Sequence, residues 1–296
     1  MDIEGQKFIR GVQIANGRLV MSTQAPDLDI ATQPHTGLCY WSEDDGWLEI
    51  GLANGVTADA TVTEDDAKML VTDPFGLVHL ADGDTATQEQ IADSDGERPE
   101  TALRCIRKVG DTVFAAGVDR AVYARTAGKW RNITTDILMD ADGPVAIQGI
   151  DGFHQNDVYT AGWDGELWHF DGTTWTQLQS PTNIILNDIA AGPDMCLAVG
   201  LAGQIVSGKG ENWEMIEQTE TEDDFWSVRY FDGAFYLASL SGVFQLKDGE
   251  LTLFRHIDAD MRTAFTLTVG PSGLWSIGPQ DIALFDGITW RTIAQS

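Results

Sequence analysis

Runs of four to eight β-branched, aliphatic and aromatic residues alternate along nearly the whole chain with clusters of Gly, Asp and Asn. Such runs predict strands, and the punctuation between them predicts tight turns. Residues 145–178, VAIQGIDGFHQNDVYTAGWDGELWHFDGTTWTQL, divide into four of these runs. The same plan returns in LNDIAAGPDMCLAVGLAGQIVSGKGENWEMI and in FTLTVGPSGLWSIGPQDIALFDGITWRTI. A Trp in the fourth run marks the period at Trp47, Trp130, Trp175, Trp213 and Trp290, with Thr87 and Leu251 in its place in two further units. Steps between these positions are 40, 43, 45, 38, 38 and 39 residues. A period near 40 with four strands per unit predicts an all-β fold, a seven-bladed β-propeller with four antiparallel strands per blade, because each small sheet must bury both faces against its neighbours. Blades are expected over 8–52, 57–91, 102–134, 145–178, 184–217, 224–254 and 263–294, in one domain spanning 1–296. A helical solenoid is excluded, since no 3.6-residue apolar stripe survives a Gly or Asp-Gly every ten residues or so.

Asp45-Gly46, Asp82-Gly83, Asp171-Gly172, Asp248-Gly249 and Asp286-Gly287 recur at one place in their units and predict two-residue hairpins between third and fourth strands. The chain opens on a first strand, FIRGVQI, and closes on a fourth, TWRTI, so no blade is shared between the termini. Ring closure then rests on face packing between the first and last blades, unless residues 1–7 reach across to pair with a neighbour.

The consensus AGxxGxLxxxDGxxWxxL resembles the BNR and YVTN-like repeat superfamily, including propellers of the photosystem II assembly factor type. The resemblance covers nearly the whole chain on short motifs. It implies the propeller fold and leaves function open, because propellers of one repeat type serve as enzymes, scaffolds and receptors. The Asp-box S-x-D-x-G-x-[ST]-W is nowhere complete, SEDDGW at 42–47 and SGKGENW at 207–213 being the nearest approaches. Trp163-Asp164 falls between the second and third strands, outside the place a WD repeat requires.

A hydrophobic share of 43% with 22% charged residues is that of a globular protein, and no run approaches the roughly 18 apolar residues of a membrane helix. MDIEGQKFIRGVQIANG lacks the basic start and apolar segment of a secretory signal, so a cytoplasmic location is expected. Cys39, Cys105 and Cys196 lie far apart among apolar strand residues, as buried reduced thiols would. Against 18 Lys and Arg stand 46 Asp and Glu, a formal charge of -28. Such a surface repels nucleic acid and anionic lipid and accelerates the approach of basic proteins, although charge kept for solubility or for a salty cell reads the same in composition.

No catalytic, cofactor or metal constellation is expected. GQIVSGK at 203–209 has the Gly and Lys spacing of a phosphate-binding loop, but Gly210 stands where Ser or Thr must hold magnesium, and a hairpin rather than a helix follows. DSDGE at 93–97 and DLD at 27–29 lack the spaced oxygens of a calcium loop. His35, His79, His154, His169 and His256 are scattered over different blades. The best enzyme reading is sialidase-like, with Arg10, Arg104 and Arg229 on first strands lining the channel and Tyr230 beside the last. Six blades and complete Asp-boxes, which that class carries, are missing.

The loops joining second to third strands and successive blades share one face of a propeller, and here they are the long, irregular ones. Asp93, Asp95, Glu97, Glu100, Asp136, Asp140, Asp142, Glu217, Glu220, Glu222, Asp223, Asp224, Asp258 and Asp260 all fall on them, most with no turn to explain them. Like charges crowded on loops of a rigid scaffold point to binding. The sequence therefore suggests a non-enzymatic propeller that captures a basic protein on this face, one version being an inhibitor or immunity-type protein covering the cationic groove of a nuclease-like toxin. An assembly factor or scaffold is the alternative.

Overall fold

In each unit the four runs form one antiparallel sheet with its strands in chain order, and seven such sheets, the expected number, surround a central axis. This computed structural model describes residues 5–92, 98–134, 144–256 and 263–295, with Ile3 and Gly96. Helix among the described residues is confined to two single-turn segments, Trp163–Gly165 and Leu201–Gly203, each joining a second strand to a third. The first strands, Lys7–Gln13, Asp59–Val62, Leu103–Val109, Ile147–His154, Leu186–Ala191, Ser227–Phe231 and Thr266–Gly270, pack side by side around the axis. Gly149 shows how tightly: a Cβ there would stand 2.8 Å from Asp188 Cα in the next blade.

Seven apolar clusters fill the seven seams between adjacent blades, so the core is a ring rather than a centre. The periodic Trp residues explain this distribution. Trp175 of the fourth blade is 2% exposed, stacks on Phe170 at 4.9 Å and packs with Phe114 of the third blade. Trp47, Trp130, Trp213 and Trp290 wedge more shallowly into the seam with the preceding blade, and Leu251 takes that place in the sixth. Thr87 is exposed and fills no seam; Ile50, Ala53 and Val62 pack against the cluster between the first and second blades instead.

Face packing closes the ring. Phe8, Leu19, Met21 and Cys39 of the first blade share a cluster with Trp275, Ile277, Ile282 and Leu284 of the last. Every sheet has four strands from one unit, and among the described residues one backbone bond from the first strand crosses the closing seam, Phe8 N–H to Pro279 O at 3.1 Å.

The Asp-Gly turns need a correction. Asp248-Gly249 is a two-residue hairpin, with both residues at positive φ (53° and 82°), as a type I′ turn demands. Asp82, Asp171 and Asp286 instead open four-residue connections of the form Asp-Gly-x-Thr. In each, the carboxylate accepts the backbone N–H of the third and fourth residues, at 2.7–2.9 Å, and the Thr hydroxyl. The charge serves the turn, as expected, through a longer loop.

A loop-rich face and an axial channel as candidate sites

Each first strand runs from the face of the long loops to the face of the short turns, and basic side chains are distributed unevenly between these ends. Six Arg and Lys ion pairs lie at the short-turn face: Arg18–Asp84 at 2.8 Å, Lys68–Asp82 at 3.2 Å, Lys108–Asp66 at 2.7 Å, Arg125 with both Glu64 and Glu89, and Arg291–Glu43. Among the described residues the loop face has one, between Arg120 and Glu166. Many acids at the short-turn face are thus neutralised or engaged in turns, although Asp44, Asp194 and Glu211 there are exposed without a basic partner among the described residues.

Glu217, Glu220, Glu222, Asp223 and Asp224 come together on the connection between the fifth and sixth blades. Glu217, Glu220 and Glu222 are exposed, with no basic partner among the described residues. Asp223 and Asp224 do have structural work, against the sequence reading. Asp224 Oδ1 accepts the N–H of Ala202, a residue held at φ 52°, at 2.8 Å, and Asp223 Oδ2 accepts the Ser239 hydroxyl at 3.1 Å. Glu100 is exposed on the connection between the second and third blades. Asp93, Asp95, Glu97, Asp136, Asp140, Asp142, Asp258 and Asp260 lie outside the described residues. The same face presents Phe75 (64% exposed) and Leu240 (67%) at turns between second and third strands, and Ile184 between the fourth and fifth blades. Large apolar tips beside uncompensated charge are the composition of a protein-binding surface. Sequence reading passed over them because each is an isolated apolar residue in a turn.

The channel is built by a rule invisible along the chain. Neighbouring first strands form no backbone ladder with each other, so side-chain oxygens accept the facing N–H groups: Asp59 from Ile106 at 3.0 Å, Thr61 from Lys108 at 3.0 Å, Asp151 from Ala191 at 3.1 Å, Asp188 from Val228 at 3.0 Å and Ser227 from Leu267 at 3.1 Å. Arg10 pairs with Asp59 at 3.0 Å and Arg229 with Asp188 at 2.6 Å. Burial alone would raise the Asp188 carboxyl, but Arg229 and Arg107 reverse this and hold it below the ordinary carboxylate range.

Arg104 does not join them. A bulge places it as the extra residue between Leu103, opposite Gly117, and Cys105, opposite Ala116, and its exposed guanidinium sits over the Trp163 ring at 5.2 Å. The three-arginine grip of a sialidase-like site is therefore not assembled. Arg107, three positions on, reaches the channel in its place. GQIVSGK forms a strand, Ile205–Lys209, and a turn with no helix after it. No His, Cys, Asp or Glu group among the described residues is arranged to hold a metal. All three cysteines are buried free thiols, and burial pushes Cys39 up to about 12.

The immune protein Tsi7 of Pseudomonas aeruginosa is 34% identical over 263 residues, covering 86% of this chain and 84% of its own length. The chain belongs to the Tsi7 family. Outside this likeness no protein-family model matches the chain. Two solved structures share with this Tsi7 relative the fold alone. The extracellular domain of the putative hybrid two-component system BT4673 from B. thetaiotaomicron superposes with a TM-score of 0.70 at 13% identity, over 95% of this chain and 38% of that one. YCF48 bound to D1 peptide does so with a TM-score of 0.56 at 15% identity, over 80% and 81%. The latter agrees with the resemblance to assembly-factor propellers in fold.

Proposed function

We propose that this chain is an immunity-type binding propeller whose loop-rich face captures a basic toxin and blocks it. Membership of the Tsi7 family carries the reading of an immunity-type, protein-binding propeller. Charge and apolar contact together favour this face: Glu217, Glu220 and Glu222 stand uncompensated on it beside Phe75, Ile184 and Leu240, whereas many acids of the opposite face are paired or turn-forming. A nuclease-like toxin fits this rim best, because an enzyme that grips phosphates must carry a cationic groove, and an acidic ring can cover that groove as its substrate would. Phe75, Ile184 and Leu240 supply apolar contact area, while the acids steer the encounter. We read binding rather than catalysis as the role, since Arg10 and Arg229 are committed to Asp59 and Asp188, and Arg104 is separated from them by the bulge. Capture from native lysate at low and high salt tests the proposal. A basic protein retained at 0.1 M and lost at 1 M salt is the expected result; a partner held equally at both would overturn the electrostatic part.

A further inference from the structure

Arg107 differs from the other arginines that face the axis. Arg10 and Arg229 each donate to a carboxylate, at 3.0 and 2.6 Å. Arg107 approaches Asp188 no nearer than 3.7 Å, beyond hydrogen-bond reach, and its guanidinium donates no hydrogen bond among the described residues. Both Nε atoms, of Arg107 and of Arg229, are buried without a partner. A guanidinium carries five N–H donors, and buried donors left unmade cost free energy.

The two acids beside Arg107 are turned to other work. Asp188 accepts from Ser227 Oγ, Val228 N and Arg229 on one oxygen, at 3.1, 3.0 and 2.6 Å. Asp151 accepts the N–H groups of Gly152 and Ala191, at 2.8 and 3.1 Å. Both are fixed by the bridging of neighbouring first strands, which leaves the donors of Arg107 facing an axial cavity of about 250 Å³. Lys108, Arg229, Thr61, Thr268 and Tyr230 also line this space, which opens toward the short-turn face because its walls come from the second halves of the first strands. At roughly 30 Å³ per water it holds about eight waters, or an anion of a few heavy atoms.

We propose that the axial channel is a binding site for a small oxyanion, a phosphate or a short carboxylate, held by the guanidinium groups of Arg107 and Arg229. The planar fork of Arg107 suits two oxygens of one ligand, and the channel hydroxyls are placed to donate to the others. Of the three cations in this lining, Lys108 pairs with Asp66 at 2.7 Å and Arg229 with Asp188 at 2.6 Å, so Arg107, 3.7 Å from Asp188, is the one whose donors are left for an anion.

The test titrates the whole protein with sodium phosphate and, separately, with sodium succinate, at ionic strength held constant with sodium chloride. Melting temperature and, for phosphate, the width of its 31P resonance are recorded. A saturable rise in melting temperature with at least one anion is expected, and Arg107→Met should raise the half-saturating concentration at least tenfold. Arg107→Lys, which keeps the charge and loses the fork, should weaken binding to a smaller degree and serves alone if Arg107→Met does not fold. The two anions distinguish tetrahedral from planar ligands within the same chemistry. No saturable response to either anion, or an identical response in wild type and in the folded variant, would overturn the site.

Discussion

Gln13 and Trp275 stand 262 positions apart in the chain, and Gln13 Oε1 accepts the indole N–H of Trp275 at 3.2 Å. The same oxygen accepts Ser272 N–H at 2.8 Å, while Nε2 donates to Ser272 Oγ at 2.8 Å and to Gly17 O at 2.9 Å. All four hydrogen-bonding positions of this buried amide are used, three of them on the last blade. The ring thus closes by apolar face packing with this buried amide as a polar pin, beside the Phe8–Pro279 backbone bond and the Arg291–Glu43 pair at the surface. Gln13→Leu keeps the shape but strands the Trp275 and Ser272 donors, and should cost about 2 to 4 kcal/mol. Urea unfolding should show a lower midpoint at unchanged slope; a loss below about 0.5 kcal/mol would mean that the pin is dispensable.

Trp175 is the most deeply set of the periodic Trp residues, stacked on Phe170 in the seam between the third and fourth blades. Trp175→Ala should destabilise by about 3 to 5 kcal/mol, as for other buried aromatic truncations. Trp130→Ala should cost less, since that ring is partly exposed, though it loses its indole bond to Glu89. Equal losses at the two positions, measured by the same unfolding experiment, would contradict the seam depths.

Acid should weaken the Asp-Gly-x-Thr turns first. The N–H groups of Thr174 and Thr173 hold Asp171 below the usual carboxylate range, as those of Thr289 and Ile288 hold Asp286. Asp82 is also held low: burial raises it, but the N–H groups of Thr85 and Asp84, with Lys68, outweigh that. A folded pKa below the unfolded value of about 3.9 gives stability that is complete above pH 4 and is lost as pH falls through the folded values. Melting temperature should therefore decline below about pH 4, and the double variant Asp171→Asn, Asp286→Asn should show a shallower decline. A variant with an unchanged acid slope would remove these turns from the account.

What the sequence made legible is what repeats. Trp spacing and turn chemistry recur every 40 residues and translate directly into seams and blades. Channel chemistry does not repeat: Asp59, Thr61, Asp151, Asp188 and Ser227 share one bridging role with different side chains, each reaching a partner about 40 residues away. Arg104 was misplaced for a related reason. Bulges shift the register of the first strand in the first, third, fourth and fifth blades, and one extra residue turns the side-chain alternation over. On the loop face, residue type alone could not separate Asp223 and Asp224, which hold the turn at Ala202 and Ser239, from Glu217, Glu220 and Glu222, which hold nothing.

That separation defines the decisive variant for the proposed binding face. Glu217, Glu220 and Glu222 reversed to Lys should leave the melting temperature nearly unchanged, because none of their carboxylates is bonded, whereas reversals at Asp223 or Asp224 would confuse folding with binding. Association with the captured toxin should slow by about tenfold or more at low salt, with dissociation much less affected, since uncompensated rim charge acts mainly on encounter. The effect should shrink between 0.1 and 1 M salt, as the screening length falls from about 10 Å to about 3 Å. Asp44, Asp194 and Glu211 reversed to Lys supply the control, being exposed, unpaired and on the short-turn face. They change the net charge by the same amount. If both triple variants slow association equally, total charge rather than the loop face draws the partner; if neither does, the acidity serves solubility, and the toxin must be held by the apolar tips at Phe75, Ile184 and Leu240 instead.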